Sequence, residues 1–493
     1  MNTIINLIEK TYYFLWGDWI HLPLPGGTTI NLPLLVLLLV PTGIFCTIRT
    51  RFLQIRMLPD MLRALLEKAE TGHKGGSLSA LQALIVSTAT RVGMGNRVGI
   101  VAALSAGGAG ALFWMWVTAL LGSATAFIEA TLAQLHKQPD PLYGGYRGGP
   151  AYYIHDWINS KRQKQGTPVS KKNLLSVLFA LSGLICWCGI SQVISNSVTS
   201  SFKNAFGIPP IYSCLFLVLL AAVIVLRKNA SVRVLDLLVP IMAGIYIILT
   251  LFLIIVNFRQ LPGVFARVFE EALGLRQAIA GGFGAVLMNG VKRGLFSNEA
   301  GMGSAPKAAA TASVSHPVKQ GLIQALSVFT DTLVICSCTA FIILLSDIPL
   351  DGSLKGIQLT QAALTGEIGI FGKYFIAFCI LLFAFSSIVG NYSYCETNLF
   401  FISSKPVYLQ LYRIGVGAMV LFGSLAGLDL VWNLADLFMA IMTLTNLIAI
   451  LLLGKIAFKA LADYNRQKKA GIKSPVFKSA SIPELDEEVT EWK

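Results

Sequence analysis

Eleven apolar stretches recur near residues 31–48, 78–104, 110–135, 174–199, 209–226, 233–256, 278–312, 317–346, 371–401, 411–426 and 430–455. Each has roughly the length a helix needs to cross a bilayer. Hydrocarbon admits only structures that satisfy their own backbone N–H and C=O groups, and continuous runs of this length are helical rather than the short alternating strands of a barrel. The pattern predicts an all-α polytopic membrane protein of about 11 transmembrane helices. Only 13% of the residues are charged, against roughly 25% in an ordinary soluble domain.

Two of these stretches contain the same tripeptide, Gly93-Met94-Gly95 in TATRVGMGNRVGI and Gly301-Met302-Gly303 in FSNEAGMGSAPKA. Glycine pairs among Asn, Arg, Glu and Ser are costly in hydrocarbon, and unwound backbone survives there only where it lines a cavity or binds something. One break in each half of a polytopic chain points to paired discontinuous helices around a site near the midplane, as in carriers of solutes.

The net charge of +14 follows membrane topology and predicts no nucleic-acid partner. Alternate connections carry 28 Lys and Arg residues against seven on the opposite side. By the positive-inside rule the N-terminus lies outside and the C-terminus in the cytoplasm, in a cytoplasmic (inner) membrane. One leading helix is then followed by ten, and the broken spans are the first and sixth of those ten, running in opposite directions. This is a five-plus-five inverted repeat. The predicted division is 1–77 (interfacial segment, extra helix and loop), 78–256 (first repeat), 257–456 (outer interfacial helix and second repeat) and 457–493 (cytoplasmic tail). Residues 1–27 read as an interfacial helix, 143–154 as a surface-lying helix entered through a Gly-Pro turn, and 257–277 as an amphipathic helix. The polar tail is expected to be partly disordered.

The residue types exclude several classes of function. Eight cysteines lie in or beside apolar runs without a partnering His cluster, which favours buried thiols over metal or disulfide use. Five scattered histidines give no catalytic cluster, so no enzyme is expected. No phosphate-binding G-x-x-x-x-G-K-[ST] loop occurs, so transport would be secondary. A channel or a non-transporting amino-acid sensor on the same scaffold is the alternative.

At the first break, N–H groups of a half-helix start would face a substrate carboxylate. Gly93, Gly95 and Asn96 are the candidates, with Thr90 nearby, and close helix packing through the glycines is the competing reading. The opposite wall would be Asn298, Glu299, Gly301, Gly303 and Ser304, whose freed carbonyls accept from a substrate ammonium. Glu299 either binds an amine, a cation or a proton, or pairs with Lys292, Arg293, Arg91 or Arg97. Met94 and Met302 either cap a small apolar pocket or fill the core. Asp331 would serve a cation site or proton coupling, with an arginine partner as the alternative.

GGAGALFWMWVTALLGSAT (107–125), RGLFSNEAGMGSAPKAAA (293–310), YRGGPAYYI (146–154), FAFSSIVGNYSY (383–394) and ADLFMAIMTLTNLIAILLL (435–453) together resemble the alanine/glycine:cation symporter family. The resemblance covers roughly residues 78–455. It implies a leucine-transporter-type fold with one added N-terminal helix, and symport of a small neutral amino acid such as alanine or glycine with Na⁺ or H⁺, without any other cofactor. It also implies a sodium site from the hydroxyls of Ser386 and Ser387 with carbonyls near Ala89 and Val92, although serines can equally bond back to their own helix. Trp187 lies on the third core helix, which faces the site in this fold, unless it only packs. The family commonly has G-T-G-N-I where this chain has Gly93-Met94-Gly95-Asn96-Arg97, and GGPG at 107–110. The departures direct attention to the first break as the seat of this chain's own specificity.

Overall fold

The structure, a computed structural model, describes residues 2–23, 29–66, 78–141, 144–225, 228–275, 282–346, 348–350, 352–485, 489 and 491–492. Helix α1 (Asn2–Trp16) leads into an antiparallel hairpin, β1 (Asp18–Pro23) with β2 (Thr29–Pro33), and then into α2 (Leu34–Arg49). The hairpin corrects the expectation of one interfacial helix through residue 27. Alternating DWIHLP and TINLP flank a Pro25-Gly26-Gly27 sequence, which is turn-forming composition. Short helices α3 (Leu53–Arg56) and α4 (Leu58–Leu65) follow.

The first core stretch is α5 (Ala80–Thr90), a π-helical segment at Arg91–Gly99, and α6 (Ile100–Gly107). Ser79 and Gln82 start it with a reciprocal capping box, at 3.1 and 2.9 Å, which satisfies two otherwise orphaned N–H groups. Next come α7 (Ala111–Leu135), the two-residue strands β3 (Gln138–Pro139) and β4 (Tyr146–Arg147), and α8 (Pro150–Lys164). Helix α8 is the expected surface helix; Gly149, at φ 131°, makes the turn into it.

The helices α9 (Leu174–Phe206), α10 (Pro210–Val225) and α11 (Lys228–Val256) come next. The expected amphipathic helix is α12 (Leu261–Ala272), set at 77° to the span before it. The sixth core stretch is α13 (Phe283–Asn298) and α14 (Ala305–Ala310). The seventh is α15 (Pro317–Val328), a second π-helical segment at Phe329–Cys336, and α16 (Ser337–Leu344). Helices α17 (Ile357–Ile368), α18 (Ile370–Ile402), α19 (Pro406–Leu425) and α20 (Leu428–Lys469) follow.

A helix or helix pair thus occupies each of the eleven apolar stretches. Among the described residues, six helices are long and apolar enough by themselves to cross a membrane; the remaining stretches are shorter or interrupted. Exposed Leu215, Phe216, Leu219, Ile248, Phe252 and Ile255 give α10 and α11 apolar outer faces, as a multi-pass membrane protein requires. Helix α7 packs against α13, α14 and α15, and α9 against α18, α19 and α20. Close approach rests on small residues: a Cβ at Gly290 or Gly294 would lie 2.4 Å from the Trp114 or Thr118 side chain. A parallel bridge between Leu78 and Ala312 ties the start of the first core stretch to the end of the sixth.

All eight cysteines are free thiols, seven buried and Cys188 half-buried. The tail departs from its expected disorder. The Phe477 N–H donates to Ser315 O (2.9 Å), the Trp492 indole to Gln134 O (2.9 Å), and Ile482, Leu485 and Val489 are buried beside them. Widely spaced apolar anchors in a polar segment give little periodic signal, yet each finds a crevice at the helix ends.

Candidate functional site

The second Gly-Met-Gly is a true break. Between α13 and α14 the backbone turns left-handed at Glu299 (φ 54°), Gly301 (φ 81°) and Gly303 (φ 82°). A left-handed residue ends α13, as helix C-termini commonly do, and the last carbonyls of a helix have no intrahelical donor. Asn446 of α20 meets one carbonyl of the turn, donating from Nδ2 to Gly301 O at 2.9 Å. Ser304 Oγ donates to Glu299 Oε2 at 2.5 Å, and Asn298 Oδ1 accepts from the Ala300 N–H at 3.0 Å.

The first Gly-Met-Gly is not a break of that kind, which corrects the expectation of free N–H groups at a half-helix start. The chain stays helical through Arg91–Gly99 in wide π turns. Gly95 serves helix approach: a Cβ there would stand 3.2 Å from Ser297 Cα and 3.4 Å from Phe296 O. Tertiary contact with α13 takes up the glycine, so its permissive backbone is not spent on a positive φ. Ala89, Thr90, Val92, Gly93 and Met94 lie outside the residues whose side-chain surroundings the structure describes.

The two π-helical segments pack on each other and on the end of α13, and single-turn π insertions gather at functional sites. There Asn96 Nδ2 donates to Asp331 Oδ1 (2.7 Å), Ser297 Oγ lies 2.5 Å from Asn96 Oδ1 and 3.0 Å from Asp331 Oδ2, and Thr332 Oγ1 donates to Asp331 Oδ2 (3.1 Å). The Ser297 hydroxyl has one proton for two acceptors, so its lone pairs and theirs converge. Asp331 is wholly buried, and among the described residues no cationic side chain pairs with it; such a cluster of oxygens invites a hard cation or a proton.

Beside the break, Gly95, Trp187, Ile190, Ile194, Phe296, Glu299, Ser387 and Asn391 line a narrow cavity of about 10 Å³, room for about one water molecule. Two of its polar atoms, Trp187 Nε1 and Asn391 Oδ1, are buried without a hydrogen-bond partner. Buried polar groups are rarely left so, and an unpaired donor and acceptor on an apolar-walled cavity suit a small polar ligand. Asn391 was legible in principle, four residues after Ser387 on α18 and hence on its face; Ile190 and Ile194 stand likewise at three and seven residues from Trp187.

The other expected residues divide. Ser386 Oγ donates to Phe383 O (2.9 Å), back onto its own helix, while Ser387 lines the cavity. Helix α18 packs on α5 and the first π segment. Met302 is fully buried and absent from the cavity lining, so it fills the core. Arg97 is stacked between Phe383 (3.1 Å to the ring centre) and Tyr246 (4.2 Å) and is held away from the cavity. Arg293 pairs bidentately with Asp436 at 2.9 and 2.7 Å, not with Glu299, and lies over Trp432. Buried Arg91 reaches Gln324 at 3.4 Å and is within electrostatic range of Glu129, Glu299 and Asp331. Glu129, to which the sequence assigned no role, accepts from Asn446 Nδ2 at 2.5 Å, while Tyr153 OH donates to Asn446 Oδ1 at 2.7 Å. Asn446 thereby joins α7, α8 and α20 to the unwound turn, a connection with no local sequence signal.

A model of the sodium:alanine symporter family matches residues 25–479. The probable sodium/glutamine symporter GlnT of Bacillus subtilis is 49% identical over 90% of each chain. The amino-acid carrier protein AlsT of the same organism is 46% identical over 93% of this chain and 96% of its own. The sodium/alanine symporter AgcS of Methanococcus maripaludis is 32% identical over 94% and 98%. Among solved structures, MhsT in complex with L-phenylalanine matches in fold alone, with a TM-score of 0.51 and 12% identity over 86% of this chain and 93% of that one.

Proposed function

This chain belongs to the sodium:alanine symporter family, and from that premise we propose that it carries a small neutral amino acid across the cytoplasmic membrane together with Na⁺. The relatives are named as carriers and symporters, not as enzymes. One observation carries the proposal: a narrow cavity at an unwound helix, lined by apolar Ile190, Ile194 and Phe296 together with Trp187, Glu299, Ser387 and Asn391. Its narrowness, with Ile190, Ile194 and Phe296 against it, favours a short side chain such as that of alanine or glycine over a longer one, while the name of the 49% identical relative makes glutamine the competitor to test.

In this reading the substrate sits between Gly95 on the first core helix and the Glu299–Gly303 turn on the sixth. Carbonyls of the turn and Glu299 face its ammonium; Trp187 and Asn391 offer it a donor and an acceptor. The oxygen cluster of Asn96, Ser297, Asp331 and Thr332 takes one cation, and Ser387 with backbone near Ala89 and Val92 forms a second candidate position. Three buried carboxylates (Glu129, Glu299 and Asp331) within range of Arg91 leave negative charge for a cation to neutralise. Alternating access rocks one inverted five-helix repeat against the other about the broken helix. A cation moving down ~100 mV contributes roughly 2.3 kcal/mol and a tenfold gradient about 1.4 kcal/mol, enough for several hundred-fold accumulation of a neutral substrate. The charge distribution supports a C-terminus on the cytoplasmic side.

The test is counterflow of labelled alanine in proteoliposomes, with and without Na⁺ at clamped potential, with glycine and glutamine as competitors. Na⁺-dependent exchange is expected. Absence of exchange of any small neutral amino acid under every cation condition sinks the proposal.

A further inference from the structure

Lys307 lies on α14, four residues past Gly303, and does not line the cavity beside the break. Its side chain is 2% exposed, and its ammonium has no hydrogen-bond partner. Asn398 of α18 is 1% exposed, and its amide nitrogen is also unpartnered. The two donors lie close together beside Gly183. A Cβ built at Gly183 of α9 would stand 2.2 Å from Asn398 Nδ2 and 3.7 Å from Lys307 Nζ, so the nitrogens are no farther apart than the sum of those distances. Only glycine at position 183 leaves room for the Asn398 amide.

The remaining surroundings raise the positive potential. Phe179 and Tyr394 present rings at 5.5 and 5.6 Å from Nζ. The N-terminal end of α8 is adjacent, since a Cβ at Gly149 would lie 2.8 Å from Lys307 Cγ, and the first turn of α8 holds no acidic residue; that end of a helix carries partial positive charge. Glu299 acts on Lys307 only at longer range, and Ser304 holds its carboxyl. A buried ammonium without a counter-charge is expensive, and two convergent N–H donors are how proteins hold anions.

We propose that Lys307 and Asn398 together bind a small monovalent anion beside Gly183. Two sources share this chemistry: the carboxylate of the amino acid on its way out past the break, and a halide. The carboxylate source rests on the symport reading; the halide source does not.

The test uses the purified full-length protein at constant Na⁺, exchanging gluconate for bromide and following thermal unfolding, together with exit of labelled alanine from loaded proteoliposomes. If the occupant is a halide, bromide raises the Tm of the wild type. Its half-saturating concentration rises about tenfold or more in Lys307→Gln and stays within about threefold in Lys307→Arg. If it is the substrate carboxylate, bromide is silent. Exit then slows about tenfold in Lys307→Gln but not in Lys307→Arg, with half-saturation by external alanine unchanged. Asn398→Asp covers the case of a variant that does not fold: a built-in carboxylate beside Lys307 is expected to raise the basal Tm and abolish the response to either anion. If Lys307→Gln folds and alters neither response, or Asn398→Asp leaves both as in the wild type, the anion site is overturned. Loss of alanine exchange in the wild type itself would count against the symport reading alone, and the bromide response would still decide the site.

Discussion

Replacing Asp331 by Asn tests the cation assignment directly. The carboxylate is fully buried and accepts from Asn96, Ser297 and Thr332 at 2.7, 3.0 and 3.1 Å. Asn keeps the shape and one acceptor oxygen but loses the charge. Two unit charges ~4 Å apart at an effective dielectric of ~20 interact by about 4 kcal/mol. The amide dipole and relaxation return part of this, leaving a loss of about 2–3 kcal/mol, or a roughly 30- to 150-fold rise in the Na⁺ concentration for half-maximal exchange. The assay is labelled alanine exchange against Na⁺, with choline as the replacement ion. The direction is specific: alanine affinity at saturating Na⁺ should move much less than the Na⁺ dependence. An Asp331→Asn protein with wild-type exchange and a wild-type Na⁺ curve would refute the reasoning that places the ion among these oxygens.

The two glycines of the break should differ. A Cβ at Gly301 has ordinary room, 3.6 Å from Leu447 Cδ2, so Gly301→Ala costs mainly the left-handed backbone, about 1–2 kcal/mol. At Gly303 the same Cβ meets Phe179 and Pro150 at 2.7 and 2.8 Å, which adds about 1–3 kcal/mol; equal Tm losses for the two variants would contradict the geometry. Burial at the start of α15 holds the His316 imidazole below its ordinary range, against the pull of Asp463 at 3.3 Å. The unfolded chain therefore takes up the proton first as pH falls through about 6.5, and stability should drop below that pH by up to ~1.4 kcal/mol per unit. His316→Gln should flatten the Tm-versus-pH curve there, and an unchanged slope would count against it. Trp492 is anchored by its indole on Gln134 O and by the Phe477 ring at 5.7 Å. Trp492→Ala should release the tail, read as faster limited proteolysis after Lys469 while alanine binding persists.

Much of the helical layout was legible because hydrocarbon imposes length and hydrophobicity on every span, and α12 was legible because its apolar residues keep helical spacing. The sites were less so. Glu299 and Ser304 stood out as polar residues at a glycine break, and they meet in space. Ser297 and Asn446, which bind Asp331 and the turn, carry no signal of their own, because their partners come from helices distant in sequence. The N-terminal hairpin and the docked tail leave little trace in the sequence for a related reason: short or irregular apolar spacing does not reveal what it will pack against.

The two Gly-Met-Gly units mark the boundary between what sequence and structure each decide. By itself the sequence determined that both lie within apolar helices and that both permit an unusual backbone. Only the tertiary structure decided that Gly301 and Gly303 adopt positive φ while Gly95 stays helical against Ser297. A glycine supplies two freedoms, a left-handed conformation and the absence of a Cβ. Which one is used depends on the neighbouring helix: Asn446 receives the carbonyl freed by the turn at the second unit, and α13 fills the space left by the missing Cβ at the first.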